Sequence, residues 1–155
     1  MRTIPADTAV RAPRDDADLR RRLIIPAAAV TAFGVLHHVD HAIRGNHVGW
    51  PLSDAVTPFT FSLGVYLLLL PGLYLTMRGQ AWAGYWLLVS LLTLALVVWV
   101  HFGPSPDAES LPEVYGPWGN ALLGGIAVAV LFALLASLVA LLAAALRVRG
   151  ASGRW

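Results

Sequence analysis

The sequence predicts an all-α integral membrane protein: an antiparallel four-transmembrane-helix bundle with both termini in the cytoplasm. Three observations carry that expectation. The 155 residues are 57% hydrophobic and 13% charged, where a soluble domain usually carries about 25% charge. The apolar residues fall into four long runs separated by short polar stretches. The basic residues, all of them arginine, gather at the ends of those runs that the topology puts on one side. A mean hydropathy of +0.67 is more apolar surface than one small water-soluble core can enclose, and lipid is its natural solvent.

Residues 1–22 are polar, with Pro5, Pro13 and the pair Asp15 and Asp16, and end in Arg20, Arg21 and Arg22. They read as a disordered cytoplasmic tail. The first helix is expected over 23–43, with Pro26 in its first turn, where a missing N–H costs little. Its apolar part, Leu23 to Leu36, is 14 residues long, short of the roughly 20 needed to span a bilayer. The span is complete only if it takes in His37, His38, Asp40 and His41. An Arg-rich lead before a short apolar run also describes a signal peptide. The long polar lead and the lack of an A-x-A-like site after Leu36 argue against that.

The second helix is expected over 58–77, interrupted by Pro71 and Gly72, where the proline ring kinks a helix. Arg78, Gly79 and Gln80 make a tight turn, and the third helix follows over 81–102, ending at His101 and stopped by Gly103, Pro104 and Pro106. A polar loop with Asp107, Glu109 and Glu113 leads to the fourth helix, 118–146, and then to a short cytoplasmic tail, 147–155. Ala121, Gly125, Ala129, Ala133 and Ser137 fall four apart, a ridge of small residues along which another helix, internal or from a partner subunit or second copy, can approach closely.

Charge sets the orientation. Arg2, Arg11, Arg14, Arg20, Arg21, Arg22, Arg78, Arg147, Arg149 and Arg154 flank one side, and Arg44 alone lies on the other. The positive-inside rule puts the ten in the cytoplasm. The high isoelectric point is then a matter of topology, and no nucleic-acid partner is indicated. The arginine-only basic set and the Ala, Gly, Leu and Val bias point to a GC-rich genome and so to a prokaryotic plasma membrane.

All five histidines, His37, His38, His41, His47 and His101, fall at the outer end. On a helix at 100° per residue, His37, Asp40, His41 and His38 share an arc of roughly 160°. His37 and His41 are an i, i+4 pair, the spacing that lets two imidazoles reach one ion. His41 and His101 each lie roughly 30 Å from the inner boundary at 1.5 Å per residue. Ionisable residues at such depth usually face the interior and mark function. With no cysteine in the chain, disulfides, thiolate metal sites and thiol catalysis are excluded.

These residues admit several readings. The first is a transition-metal site of His37, His41, His101 and Asp40, with His38 as a further candidate; imidazole and carboxylate suit Zn, Cu, Fe or Ni. The second is b-type haem held by His41 and His101, or by His37 and His101. The third is an accessory subunit in which the polar cluster bonds helices together. A proton-coupled transporter is a weaker option, because the inner halves of all four segments are apolar. Histidines at a helix end can also simply face the headgroups. His37-His38-x-x-His41 resembles one histidine box of the membrane di-iron desaturases and hydroxylases, which draw on several more histidines than five. Arg44 stands four residues after Asp40, in ion-pair register on a helix, and Glu113 is a carboxylate the outer loop can offer. No reaction or substrate is legible: there is no G-x-S-x-G, no P-loop and no dinucleotide fingerprint.

Overall fold

The computed structural model describes residues 13–44, 62–80, 82–104 and 108–152, and no strand occurs among them. Five α-helices follow one another: α1 (Pro13–Arg44), α2 (Tyr66–Met77), α3 (Ala83–Phe102), α4 (Leu111–Tyr115) and α5 (Ala121–Ser152), with a 3-10 turn at Gly116–Trp118 between the last two. Among the described residues, three stretches are long and apolar enough to cross a membrane: Arg20–Arg44, Ala83–Phe102 and Ala121–Gly150, of 25, 20 and 30 residues. At 1.5 Å per residue even the shortest spans about 30 Å. Their outward faces are aliphatic; Ile25, Leu91, Leu92, Leu122 and Ile126 are all exposed. So many bare apolar side chains fit lipid and not water, and the chain is accordingly a membrane protein.

The segment expected as a second span is an apolar helix of 12 residues, about 18 Å long. Ser62 and Leu63 are helical before it, a turn intervenes at 64–65, and residues 58–61 lie outside the described residues. Two boundaries also differ from expectation. Helix α1 starts at Pro13, a residue suited to a first helical position, so residues 13–22 of the expected tail are helical. Helix α5 continues through Arg147 and Arg149 to Ser152, with Gly150 tolerated inside it and no proline in the stretch.

The main core lies where α1, α2, α3 and α5 meet. Leu23, Ala27 and Val30 of α1 pack with Leu69 of α2, Trp86 and Val89 of α3, and Leu134, Leu138, Leu141, Ala145 and Val148 of α5. A buried hydrogen-bond chain ties α3 to α2: Trp86 Nε1 donates to Thr76 Oγ1 (2.7 Å), which donates to the Gly72 carbonyl (2.7 Å). Gly72 is where the two helices touch, and a Cβ there would overlap Tyr85 and press on Trp86. Gly72→Val is therefore expected to lose about 1–3 kcal/mol by overpacking, read as a lower midpoint of unfolding in detergent. Tyr85 Oη also donates to the Leu68 carbonyl (2.5 Å), next to the backbone that Pro71 disturbs. The α2–α3 turn closes through Gly79, whose left-handed φ of 72° suits glycine, and Arg20 Nη1 reaches across from α1 to the Met77 carbonyl (3.3 Å).

A smaller core of Val114, Ala127 and Leu131, with Leu111 and Trp118 against it, seats α4 on α5. That contact holds the outer loop over the ends of α1 and α3. On α5, Ala121, Gly125 and Ala129 of the small-residue ridge are exposed, whereas Ser137 is buried.

Candidate metal centre

Two local features of α1 start the site. The i, i+4 pair His37 and His41 puts two imidazoles on one side of the helix. The pair Asp40 and Arg44, displaced by three residues, puts an ion pair beside them. The third imidazole, His101, comes from the last turn of α3. All three rings are buried. His37 Nε2 lies 3.1 Å from His41 Nε2 and 3.1 Å from His101 Nε2. Each of the three residues offers a nitrogen within 4.8 Å of the other two.

Glu109 sits back against the end of α3. Glu109 N–H donates to the Val100 carbonyl (2.8 Å), which folds residue 109 over the end of α3. The Glu109 carbonyl then accepts from His101 Nδ1 (3.0 Å). A carbonyl can only accept, so His101 carries its proton on Nδ1 and turns the Nε2 lone pair toward His37. The Glu109 side chain is fully enclosed at 0% exposure. Its Oε2 stands 3.2 Å from His41 Nε2 and 3.5 Å from His101 Nδ1.

Arg44 bridges the two buried carboxylates. Its Nε and Nη2 donate to Asp40 Oδ2 (2.9 and 2.6 Å), and its Nη1 donates to Glu109 Oε1 (2.5 Å) and to the Glu113 carbonyl (3.1 Å). Trp118 Nε1 donates to Asp40 Oδ1 (2.8 Å). Both Asp40 oxygens are thus engaged away from the imidazoles. With both acids ionised, the two carboxylates and one guanidinium sum to −1 beside three neutral imidazoles. A cation among the imidazoles would balance that charge in a place where water is scarce.

Hydrogen bonding alone does not satisfy the cluster: His37 Nδ1 is buried with no hydrogen-bond partner among the described residues. Such an orphan costs about 1–3 kcal/mol. Three imidazoles with His37 Nε2 within 3.1 Å of both other Nε2 atoms are a donor set for a metal ion; the Glu109 carbonyl stands behind His101 as an outer-shell partner, and Glu109 Oε2 stands beside His41 Nε2 itself.

The structure brings His37, His41 and His101 together and puts Asp40 next to them in the ion-pair layer. His38 faces elsewhere: its Nδ1 lies 2.8 Å from the Gly34 carbonyl and 2.8 Å from Tyr66 Oη, and its Nε2 lies 2.9 Å from Ser62 Oγ. It ties α1 to α2. His47 lies outside the described residues. The sequence offered Glu113 as a carboxylate the loop could supply, or as a solvated loop charge, and gave Glu109 and Trp118 no place in the site. The missed signal was Ser110-x-x-Glu113, a capping box. Glu113 Oε2 accepts from Ser110 N–H (2.6 Å) and Oγ–H (2.8 Å) and so opens α4, which leaves Glu109 for the site.

Those two bonds, the backbone one first, hold the exposed Glu113 carboxyl below the usual glutamate range. A lowered folded-state pKa contributes stability above the ordinary carboxylate pKa and loses it as pH falls through the lowered one. The side-chain carbonyl resonance of Glu113 is expected to titrate below a free glutamate and to move only part of the way back in Ser110→Ala, which removes the hydroxyl bond and keeps the backbone one. Comparison with protein-family models, curated proteins and solved structures gives no match for this chain.

Proposed function

We propose that this protein is a four-span membrane protein that binds one transition-metal ion at the outer end of its bundle through His37, His41 and His101. The observation that carries this is the pair of 3.1 Å separations between Nε2 atoms. For metal–nitrogen bonds of about 2.0–2.1 Å, the edge between two ligands runs from about 2.9 Å at a right angle to about 3.3 Å in a tetrahedron. Two of the three imidazole pairs already stand at ligand spacing, and the third lies within 4.8 Å. Asp40 serves the outer shell, where with Glu109 it fixes Arg44. In this reading α2 and the residues before it complete the fourth crossing, the bundle is antiparallel, and the arginine-rich ends lie in the cytoplasm. The arginine-only basic set favours a prokaryotic plasma membrane.

The same geometry favours an ion over haem. Axial ligands must stand on opposite faces of a porphyrin, with the iron between their nitrogens. His37 Nε2 lies within 3.1 Å of both other Nε2 atoms, so whichever pair is chosen, the third ring crowds the slot the macrocycle would need.

The test is elemental analysis of protein purified in detergent, without chelator, from metal-supplemented cells. The expected result is close to one transition-metal ion per chain, lost when His41 and His101 are both replaced by alanine. Metal-free wild-type protein would move the reading to an accessory subunit held together by its polar cluster, with the exposed ridge Ala121, Gly125 and Ala129 as the face a partner helix could meet.

A further inference from the structure

The three-histidine group has two unlike faces. On one stand Glu109, Arg44, Asp40 and Trp118, all charged or polar. On the other is a partly open cavity of about 70 Å³, between α1, α2, α3 and α5. His37, His41 and His101 line it, and Glu109, Arg44 and Asp40 do not. Its other walls are mainly aliphatic, among them Val30, Leu69, Leu96, Val97, Val100 and Leu134. His38 and Ser62 also reach it, but they are bonded to one another and His38 to Gly34 and Tyr66 besides.

The geometry points to a small, uncharged, apolar molecule of two or three heavy atoms, of the diatomic-gas class, as the ligand of the metal held by His37, His41 and His101. The inference rests on the metal reading above. Three protein ligands leave a coordination position free, as sites that take an exogenous ligand do. The layer of Glu109 and Arg44 closes one side of the histidines, so that position has room only toward the cavity. Volume sets the size. An aliphatic cavity of about 150 Å³ in another protein stays dry and takes benzene; half that volume excludes a ring and admits a diatomic. The walls set the polarity, because an ion or strongly polar ligand would lose its hydration against aliphatic side chains with no compensating bonds. Such molecules dissolve in the bilayer core and reach the cavity without crossing the charged outer layer.

The experiment uses the full-length protein in detergent, loaded with Cu(I) as the probe metal under anaerobic conditions and exposed to carbon monoxide. The readouts are copper content and the C–O stretching band in the infrared. The expected result is one bound CO per copper in wild type. Val97→Phe, which fills the cavity, should keep its copper and lose CO affinity by roughly tenfold or more, a factor worth about 1.4 kcal/mol. A size limit in the wild-type protein gives the same answer without a variant: tert-butyl isocyanide should not bind, and Leu134→Ala should admit it. Copper held with no CO band, CO binding indifferent to Val97→Phe in a copper-replete variant, or tert-butyl isocyanide binding as readily as CO in wild type would each overturn the inference and leave the metal reading standing. Wild-type protein that holds no copper would overturn the three-histidine metal reading, and this inference with it.

Discussion

Replacing Glu109 with leucine is expected to be among the most damaging single changes in the protein, at about 3–5 kcal/mol, the usual cost of removing one partner from a buried ion pair. Glu109 is fully enclosed, and the Arg44 side chain that it faces is 1% exposed. Without Glu109 the guanidinium keeps Asp40 and the Glu113 carbonyl but loses its shortest contact, at 2.5 Å. His41 loses the carboxylate 3.2 Å away at the same time. Glu109→Gln keeps an oxygen for Arg44 and a similar shape, so its loss should be clearly smaller. The measurement is the unfolding midpoint in a detergent titration, with the cycle Glu109→Leu, Arg44→Met and the pair. If the salt-bridge layer carries the effect, the double variant loses much less than the sum of the singles, because removing both partners leaves no uncompensated charge. A loss below about 1 kcal/mol for Glu109→Leu, the scale of a solvated surface pair, would mean that water reaches the layer. Metal affinity should fall as well, by the roughly 10- to 100-fold typical of outer-shell changes.

The contrast between Glu109 and Glu113 shows what the sequence could and could not reveal. The helical class and three of the long apolar spans were legible because lipid demands unbroken runs of apolar residues, and such runs are local. His37 and His41 were legible because helical periodicity is local too, and the matching depth of His41 and His101 follows from counting residues along two helices. The ion-pair layer was not legible. It depends on Glu109 lying back against the end of α3, which a backbone bond from Glu109 to Val100 sets, and on α4 docking against Val97, Ala127 and Leu131. Neither leaves a periodic trace. Trp118, which donates to Asp40, is brought there by the same docking. His38 read as a further ligand because its angle on the helix wheel was only 100° from His37. That angle carries it to α2, where Tyr66 and Ser62 receive it. The second span read as a full crossing from its composition, yet a turn at 64–65 divides it.

His37 and His38 are adjacent in sequence, and their replacement should have opposite consequences. His37 is the hub of the donor set, the ring whose Nε2 is 3.1 Å from both of the others. His37→Leu removes that hub, so metal affinity should fall by more than the roughly 100-fold upper range of outer-shell losses. It also removes Nδ1, buried without a partner among the described residues, and so deletes a penalty of about 1–3 kcal/mol. The same change takes from buried His101 Nε2 the ring it faces, a cost of similar size, so metal-free His37→Leu should unfold close to metal-free wild type. The difference should appear when metal is added. At a free concentration of about 100 times the dissociation constant, binding stabilises the folded protein by about 2.7 kcal/mol, and the variant should gain none of it. His38→Leu should do the reverse. It leaves the three Nε2 atoms in place, so the metal-dependent gain persists, but α1 loses its bonds to Ser62 and Tyr66 on α2 and the metal-free protein is weakened by about 1–2 kcal/mol. Unfolding midpoints of both variants with and without metal separate the two roles. Equal metal-dependent gains in His37→Leu and wild type would show that the cluster is polar packing between helices. A lost gain in His38→Leu would place the metal on the α2 side of the helix, away from His101.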